Sequence, residues 1–134
     1  MDAVTRKMIK IYELEKYKLD FMSYRFNQIG DLTYHHLIIP KCQGGKKTIK
    51  NGAILTRTSH DYLHLIEQID KEVFYLISSE MIEQNVKGKL DIKNLKKIRE
   101  LLRYFESEHI DERMREGKLL IKEKYLIRPK LDTF

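Results

Sequence analysis

The sequence contains very little cysteine and no long apolar run, and each absence excludes a class of protein. Cys42 is the single cysteine among 134 residues, so the chain can form neither an internal disulfide nor a zinc site of four cysteines. This cysteine usage agrees with a reducing compartment. No apolar run approaches the roughly 20 residues that a membrane-spanning helix needs, and charges interrupt the N-terminal segment where a signal peptide would be apolar. We therefore expect a cytoplasmic location and no membrane partner.

The remaining composition is that of one globular domain with a basic surface. A length of 134 residues matches one ordinary domain, and 42% hydrophobic with 34% charged residues is a soluble balance. The 26 basic residues exceed the 20 acidic ones, which gives a net charge of +6. This excess favours an anionic partner.

The pattern of apolar residues predicts an α+β fold. Spacing over residues 4–19 indicates an amphipathic helix, and the aromatic-rich residues 21–26 indicate a short strand or extended segment. A second strand is predicted over Leu32–Ile39, where Pro40 ends it, and a third over Ala53–Thr58. Between them, residues 41–52 contain two adjacent glycines and four lysines, which is typical of a loop.

Helices are predicted for much of the rest. Ser59 has the chemistry of an N-cap, and apolar residues then recur at three- and four-residue steps from Tyr62 towards Ile82, with Gly88 as the end. Asp91 predicts the N-cap of another helix, in which Leu90 would pack against Leu95. The segment after Gly117 fits either a strand or a last helix. His109 lies among acidic residues and is interpreted as a surface histidine without a role.

Histidines cluster in the segment between Tyr34 and His64, which holds four of the five in the chain. His35 and His36 would point to opposite faces of a strand, while His60 and His64 would share one helix face. A hairpin packed on that helix would bring one histidine of the first pair to the second pair. Three imidazoles could then bind one cation, leaving the fourth free to act on a substrate. Imidazole favours zinc, nickel or cobalt, whereas magnesium prefers oxygen ligands.

The order H-H-x14-N-x8-H-x3-H, with Pro40 and Gly44-Gly45 after the first pair, resembles the HNH endonucleases, which have the ββα-metal fold. The histidine-rich pattern is also similar to the DNase domains of nuclease colicins. The resemblance covers residues 34–64, under a quarter of the chain. It implies a metal-dependent endonuclease that hydrolyses phosphodiester bonds of DNA, with one divalent ion (Zn, Ni, Mn or Mg) as cofactor and duplex DNA as partner.

The resemblance also implies a role for each histidine of the motif and for its asparagine. His36 would be the general base that activates water, and Asn51 would hydrogen-bond across the loop and orient His36. The metal ligands would be His35, His60 and His64. Many relatives have Asp at the position of His35, so histidine there favours a transition metal. Basic residues near the motif are candidates for phosphate contacts: Lys41, Lys46, Lys47, Lys50 and Arg57.

The sequence departs from many phage-type relatives, which carry two Cys-x-x-Cys pairs around a structural zinc. With Cys42 alone, apolar packing must hold the hairpin, and the predicted residues are Leu32, Ile38, Ile54 and Leu55. We expect one domain over residues 1–134, with the nuclease core at 21–87 and helical segments at 1–20 and 90–134.

Two other functions remain open from the sequence. One is a nucleic-acid-binding protein that keeps the HNH fold without turnover. The other is an interaction module in which the Ile92–Phe105 helix and the tail form a homodimer or dock on a larger restriction or phage-packaging machine. Phage, mobile-element, restriction and toxin nucleases of this kind would all act inside the cell.

Overall fold

The computed structural model describes the backbone of residues 1–115 and the side chains of residues 1–109. The fold is mixed helix and strand, which confirms the α+β prediction. The order of elements is α1 (Ala3–Ile11), α2 (Leu14–Tyr17), β1 (Leu32–His36), β2 (Gly52–Thr56), α3 (Arg57–Ile69), α4 (Lys71–Lys87) and α5 (Ile92–Arg115). Short 3-10 turns occupy Ile29–Asp31 and Lys41–Gln43. The predicted strand or helix after Gly117 lies outside the described residues.

The two strands form an antiparallel hairpin in which Leu32 pairs with Thr56 and His36 with Gly52. Strand β1 is three residues shorter than the predicted Leu32–Ile39. The reason is that Asn51 Oδ1 accepts hydrogen bonds from the backbone N–H groups of Ile38 (2.9 Å) and Ile39 (2.7 Å). These two amides are therefore bound by the loop, and Ile38, which was expected to pack inside the hairpin, is 55% exposed.

Helix α3 begins earlier than predicted because Thr56, and not Ser59, is its N-cap. The Thr56 side chain accepts a hydrogen bond from the backbone N–H of Ser59 at 3.1 Å. Threonine, like serine, is among the residues preferred as N-caps because its hydroxyl can accept such a hydrogen bond. Strand β2 therefore ends at Thr56 and passes directly into the helix that carries His60 and His64.

Residues 21–26 form no strand beyond an isolated bridge between Leu19 and Arg25, because this segment turns tightly around Asp20. The Asp20 carboxylate accepts from the backbone N–H groups of Met22 and Tyr24, each at 2.9 Å. Ser23 has a left-handed backbone with φ of 71°. These local hydrogen bonds compete with strand pairing. The apolar side chains of the turn are consequently all buried, without alternation: Phe21, Met22, Tyr24 and Phe26.

Two predicted helices are each divided. The N-terminal one breaks at Glu13, which has a left-handed φ of 53°, between α1 and α2. The long helix after Thr56 breaks at Asp70, which is extended and serves both as C-cap of α3 and as N-cap of α4. Asp70 accepts a hydrogen bond from the Val73 N–H at 3.1 Å. An aspartate inside a helix competes with the backbone in this way, so it favours a cap over continuation.

The core lies between the hairpin and the helices. Strand β2 contributes Ala53, Ile54 and Leu55, all fully buried. The apolar stripe of α5 is also buried within the chain: Leu95, Ile98, Leu102 and Phe105. This apolar face of the Ile92–Phe105 helix therefore packs in the chain's own core. Within residues 1–115, none of the helices combines the length and apolarity that crossing a bilayer requires.

His109 has a structural role that the sequence did not indicate. Its Nε2 lies 2.9 Å from Asp70 Oδ2, so it connects α5 to the junction between α3 and α4. This contact, together with the N–H of Val73, lowers the pKa of Asp70 against the opposing effect of burial.

The Asp70 contact predicts a pH-dependent stability. A carboxyl whose pKa is lowered by folding stabilises above its unfolded pKa of about 3.9, and this contribution is lost as the pH falls through the lower folded pKa. We expect Asp70→Ala to lose about 1 kcal/mol of unfolding free energy at pH 7, and less below pH 4. Urea denaturation at both pH values measures this. Asp70→Asn, which keeps a capping oxygen, should lose less at pH 7. A deficit for Asp70→Ala that is equal at the two pH values would contradict the explanation.

Candidate functional site

Three histidines from two elements converge at the hairpin–helix junction. His35 projects from β1 towards α3, where His60 and His64 lie one turn apart on the same face. One ring nitrogen from each of the three lies within 4.8 Å of the others. The His35 and His60 rings are 5.1 Å apart between centroids, and the His60 and His64 rings stack at 4.9 Å. The alternation and i,i+4 arguments thus predicted this meeting correctly.

The geometry of the cluster fits a single metal ion. His35 Nδ1 lies 3.3 Å from His60 Nε2. Two nitrogens bound to one tetrahedral Zn²⁺ at their usual bond length lie about 3.3–3.4 Å apart, so this pair already has the spacing of two ligands. His64 is half-exposed, whereas His35 is 6% exposed. The cluster is therefore open on the His64 side, and a metal bound by these three imidazoles would keep a position for water or substrate.

The electrostatics keep two of the three imidazoles neutral. Burial, followed by the like charges of the neighbouring histidines, lowers the pKa of His35 to about 3. Burial and then the charges of His64 and Arg57 lower the pKa of His60 to about 4. A neutral imidazole has a free lone pair, which is the form that binds a metal. At neutral pH these two rings are consequently ready to act as ligands.

Thr33 determines which nitrogen of His60 faces the cluster. Its Oγ1 lies 2.9 Å from the Leu55 carbonyl oxygen and 2.9 Å from His60 Nδ1. The hydroxyl has one hydrogen, which it donates to the carbonyl, so it accepts from Nδ1–H of His60. This tautomer leaves the lone pair on Nε2, the nitrogen that faces His35. Glu67 lies near His64, with Oε1 3.7 Å from Nδ1, a distance longer than a hydrogen bond.

Replacing Thr33 should weaken metal binding without removing a ligand. Thr33→Val keeps the shape of the side chain but removes the hydroxyl, so the tautomer of His60 is no longer selected. Partners of metal-bound histidines typically change metal affinity by about 10- to 100-fold, and we expect a loss in that range. Competition with a chromogenic zinc chelator measures it. Thr33→Ser keeps the hydroxyl and is the matched control, and equal affinities for the two variants would refute the role of Thr33.

His36 lies on the opposite face of β1 from His35, yet both line the same cleft. Its ring packs edge-on against Tyr34, with centroids 5.0 Å apart. Tyr34 is in turn fixed at its hydroxyl, which donates to the Thr48 carbonyl at 2.6 Å and accepts from the Thr48 N–H at 2.9 Å. Gly52 leaves room for this arrangement, because a Cβ there would lie 2.3 Å from the Tyr34 ring. Partial burial and the charges of Lys41 and Lys47 lower the pKa of His36.

Asn51 closes the loop that follows His36. Besides accepting from Ile38 and Ile39, its Nδ2 donates to the carbonyls of Ile39 (3.0 Å) and Lys46 (3.1 Å). The predicted hydrogen bonding across the loop is therefore observed, and it holds backbone and not the His36 ring. Gly45 allows this closure, since a Cβ there would lie 1.9 Å from the Ile39 carbonyl oxygen.

The predicted basic residues are not equivalent. Lys41 lines the cleft beside the histidines. Lys47 lies 3.0 Å from the Asp2 carboxylate and above the Tyr34 ring, so part of its charge is neutralised within the chain. Lys46 and Lys50 are exposed on the loop outside the cleft lining, and Arg57 is exposed at the start of α3.

Comparison with protein-family models, with curated proteins and with solved structures gave no match for this chain. The functional assignment consequently depends on the residues and on the geometry of the site.

Sequence reasoning missed several residues that shape the site. Thr33 and Tyr34 lie two positions before His35 and His36, and strand alternation could have placed each on the face of its histidine. Asn85 of α4 supports the loop end by donating to the carbonyls of Ile49 and Gly52, each at 2.7 Å. No local pattern marks that contact, because the residues are more than 30 positions apart.

Proposed function

We propose that this chain is a metal-dependent HNH endonuclease that hydrolyses DNA, with β1, β2 and α3 as its ββα-metal core. The observation that carries the proposal is the position of His36. It lines the same cleft as the three-histidine cluster but is not a member of it. A purely structural metal site would need neither a fourth histidine beside it nor an open coordination position.

In this function His36 removes a proton from the attacking water. Its lowered pKa keeps the imidazole neutral at pH 7, so a ring nitrogen is free to accept the proton. The contact with Tyr34 limits the orientation of the ring, and Asn51 holds the backbone that follows it. Lys41, on the cleft rim, supplies positive charge for the phosphate.

His35, His60 and His64 would hold the divalent ion, and their nitrogen ligands favour a transition metal over magnesium. When bound, such an ion acts as a Lewis acid for charge on the phosphodiester and on the leaving 3′ oxygen. The role of the chain is to present three imidazoles on rigid elements, of which His35 and His60 are kept neutral by burial. The contact of Thr33 orients the His60 ring.

Cleavage of supercoiled plasmid by the metal-stripped protein tests the function. We expect nicked or linear DNA when Mn²⁺, Ni²⁺, Zn²⁺ or Mg²⁺ is added, and intact plasmid in EDTA. His60→Ala, purified in parallel, should lose both metal binding and cleavage, which controls for a contaminating nuclease. Protein that binds duplex DNA and metal but cleaves with none of these ions would overturn the proposal and favour the binding module.

A further inference from the structure

The catalytic cleft has a second wall that the HNH motif does not include. It is formed by α4, whose contribution is Phe74, Tyr75, Ser78, Ser79 and Ile82. This α4 wall faces the same space, of about 830 Å³, as His35 and His36. Its residues are aromatic, aliphatic or hydroxylic, and none carries a charge. The cleft therefore combines a charged and imidazole-lined side with a neutral one.

Tyr75 is an exposed aromatic residue of the α4 wall. Its side chain is 61% exposed, and its ring meets Phe74 at a centroid distance of 5.4 Å. An exposed aromatic ring beside a hydrolytic site is available for stacking on a flat ligand. Any nucleobase can stack on an aromatic side chain, whatever the sequence of the strand. Such stacking is the usual way in which proteins hold unpaired strands.

Ser78 is a buried polar residue of the same wall. It is 7% exposed, and its Oγ has no hydrogen-bond partner. The neighbouring Ser79 hydroxyl, in contrast, donates to the Tyr75 carbonyl at 2.8 Å. A buried hydroxyl without a partner is unfavourable, and Ser78 belongs to the lining of the cleft. The oxygen itself is enclosed, so a base at Tyr75 would reach it only after neighbouring side chains of the wall had moved.

We propose that the α4 wall is a nucleobase-binding subsite, so that the enzyme acts on nucleic acid with an unpaired nucleotide at the cleavage position. The inference rests on the proposed nuclease function. The phosphate lies towards His36 and Lys41, and the base lies against Tyr75. A base inside a duplex is paired and stacked, so it reaches this wall only after leaving the stack, which is easiest in a single strand or at a mismatch.

Binding by a cleavage-blocked protein tests the subsite. Fluorescence anisotropy of His36→Ala protein is measured with three fluorescein-labelled DNA probes at one fixed salt concentration: a single strand, the matched duplex, and the duplex with one unpaired nucleotide. We expect the two probes with unpaired bases to bind about tenfold more tightly than the duplex. Introducing the Tyr75→Leu substitution into the His36→Ala protein should remove most of the preference for unpaired bases. One base–aromatic stack accounts for about tenfold or more in affinity.

Tyr104→Leu is the matched control, because Tyr104 is 53% exposed on α5 and does not belong to the cleft lining. Equal binding by the Tyr75→Leu and Tyr104→Leu proteins, or tightest binding to the duplex, would overturn the subsite. If the wild-type protein nevertheless cleaves plasmid normally, that result would refute the subsite and leave the nuclease function in place. Preferential binding of unpaired strands without any cleavage would support the subsite and refute the nuclease function.

Discussion

Replacing His36 with alanine is expected to slow plasmid cleavage by about 100- to 10,000-fold, which is the usual contribution of a general base. Metal affinity and the midpoint of thermal unfolding should remain close to those of the wild type. The physical reason is the separation of roles within one strand. His35 points to the cluster on α3, whereas His36 lies on the other face beside Tyr34.

Two comparisons make the His36 prediction specific. His35→Ala should lose metal binding together with cleavage, because it removes a ligand of the cluster. Added imidazole should partly restore cleavage by His36→Ala protein, since the missing group is a proton acceptor in an open cleft. Cleavage by His36→Ala within tenfold of the wild type would contradict its role as the base. Loss of metal binding in the same variant would instead place His36 among the ligands.

Local periodicity, combined with the expected packing of the hairpin on α3, was sufficient to predict the meeting of the histidines. Alternation along β1 separates His35 from His36, and the i,i+4 spacing places His60 and His64 on one face of α3. Both arguments use only neighbouring residues and assign each histidine to a face, whereas the meeting of the two pairs also required the hairpin to pack on the helix. The i,i+4 argument held even though the predicted N-cap of α3 was wrong by three residues, because both histidines still lie within the helix.

The α4 wall could not be predicted in the same way. The apolar repeat from Tyr62 to Ile82 looked like one helix, whereas Asp70 ends α3 and starts α4 in a new direction. The break places Tyr75 and Ser78 beside the cleft, which a continuous helix would not do. The pairing of Lys47 with Asp2 was likewise invisible, since the two residues are 45 positions apart in the chain.

Asp20 is the residue whose importance was least visible in the sequence. It follows Leu19 and precedes Phe21 without any motif, yet it is fully buried. Besides Met22 and Tyr24, two donors from the start of α3 bind its Oδ2. These are the Thr56 N–H at 2.8 Å and the Ser59 hydroxyl at 2.6 Å. Burial raises the pKa of Asp20, and the four donors oppose this rise.

We expect Asp20→Ala to reduce the free energy of unfolding by about 3 kcal/mol or more, because several buried donors would lose their acceptor at once. Asp20→Asn should also be strongly destabilising, since in either orientation the amide would direct hydrogens at donors. Ser59→Ala removes one donor only and should lose about 1 kcal/mol. Urea denaturation at pH 7 ranks the three variants. An Asp20→Ala protein no less stable than Ser59→Ala would show that the carboxylate does not hold the start of α3.

Because α3 carries His60 and His64, the destabilised variant should also bind zinc less tightly than wild type at temperatures near its unfolding midpoint.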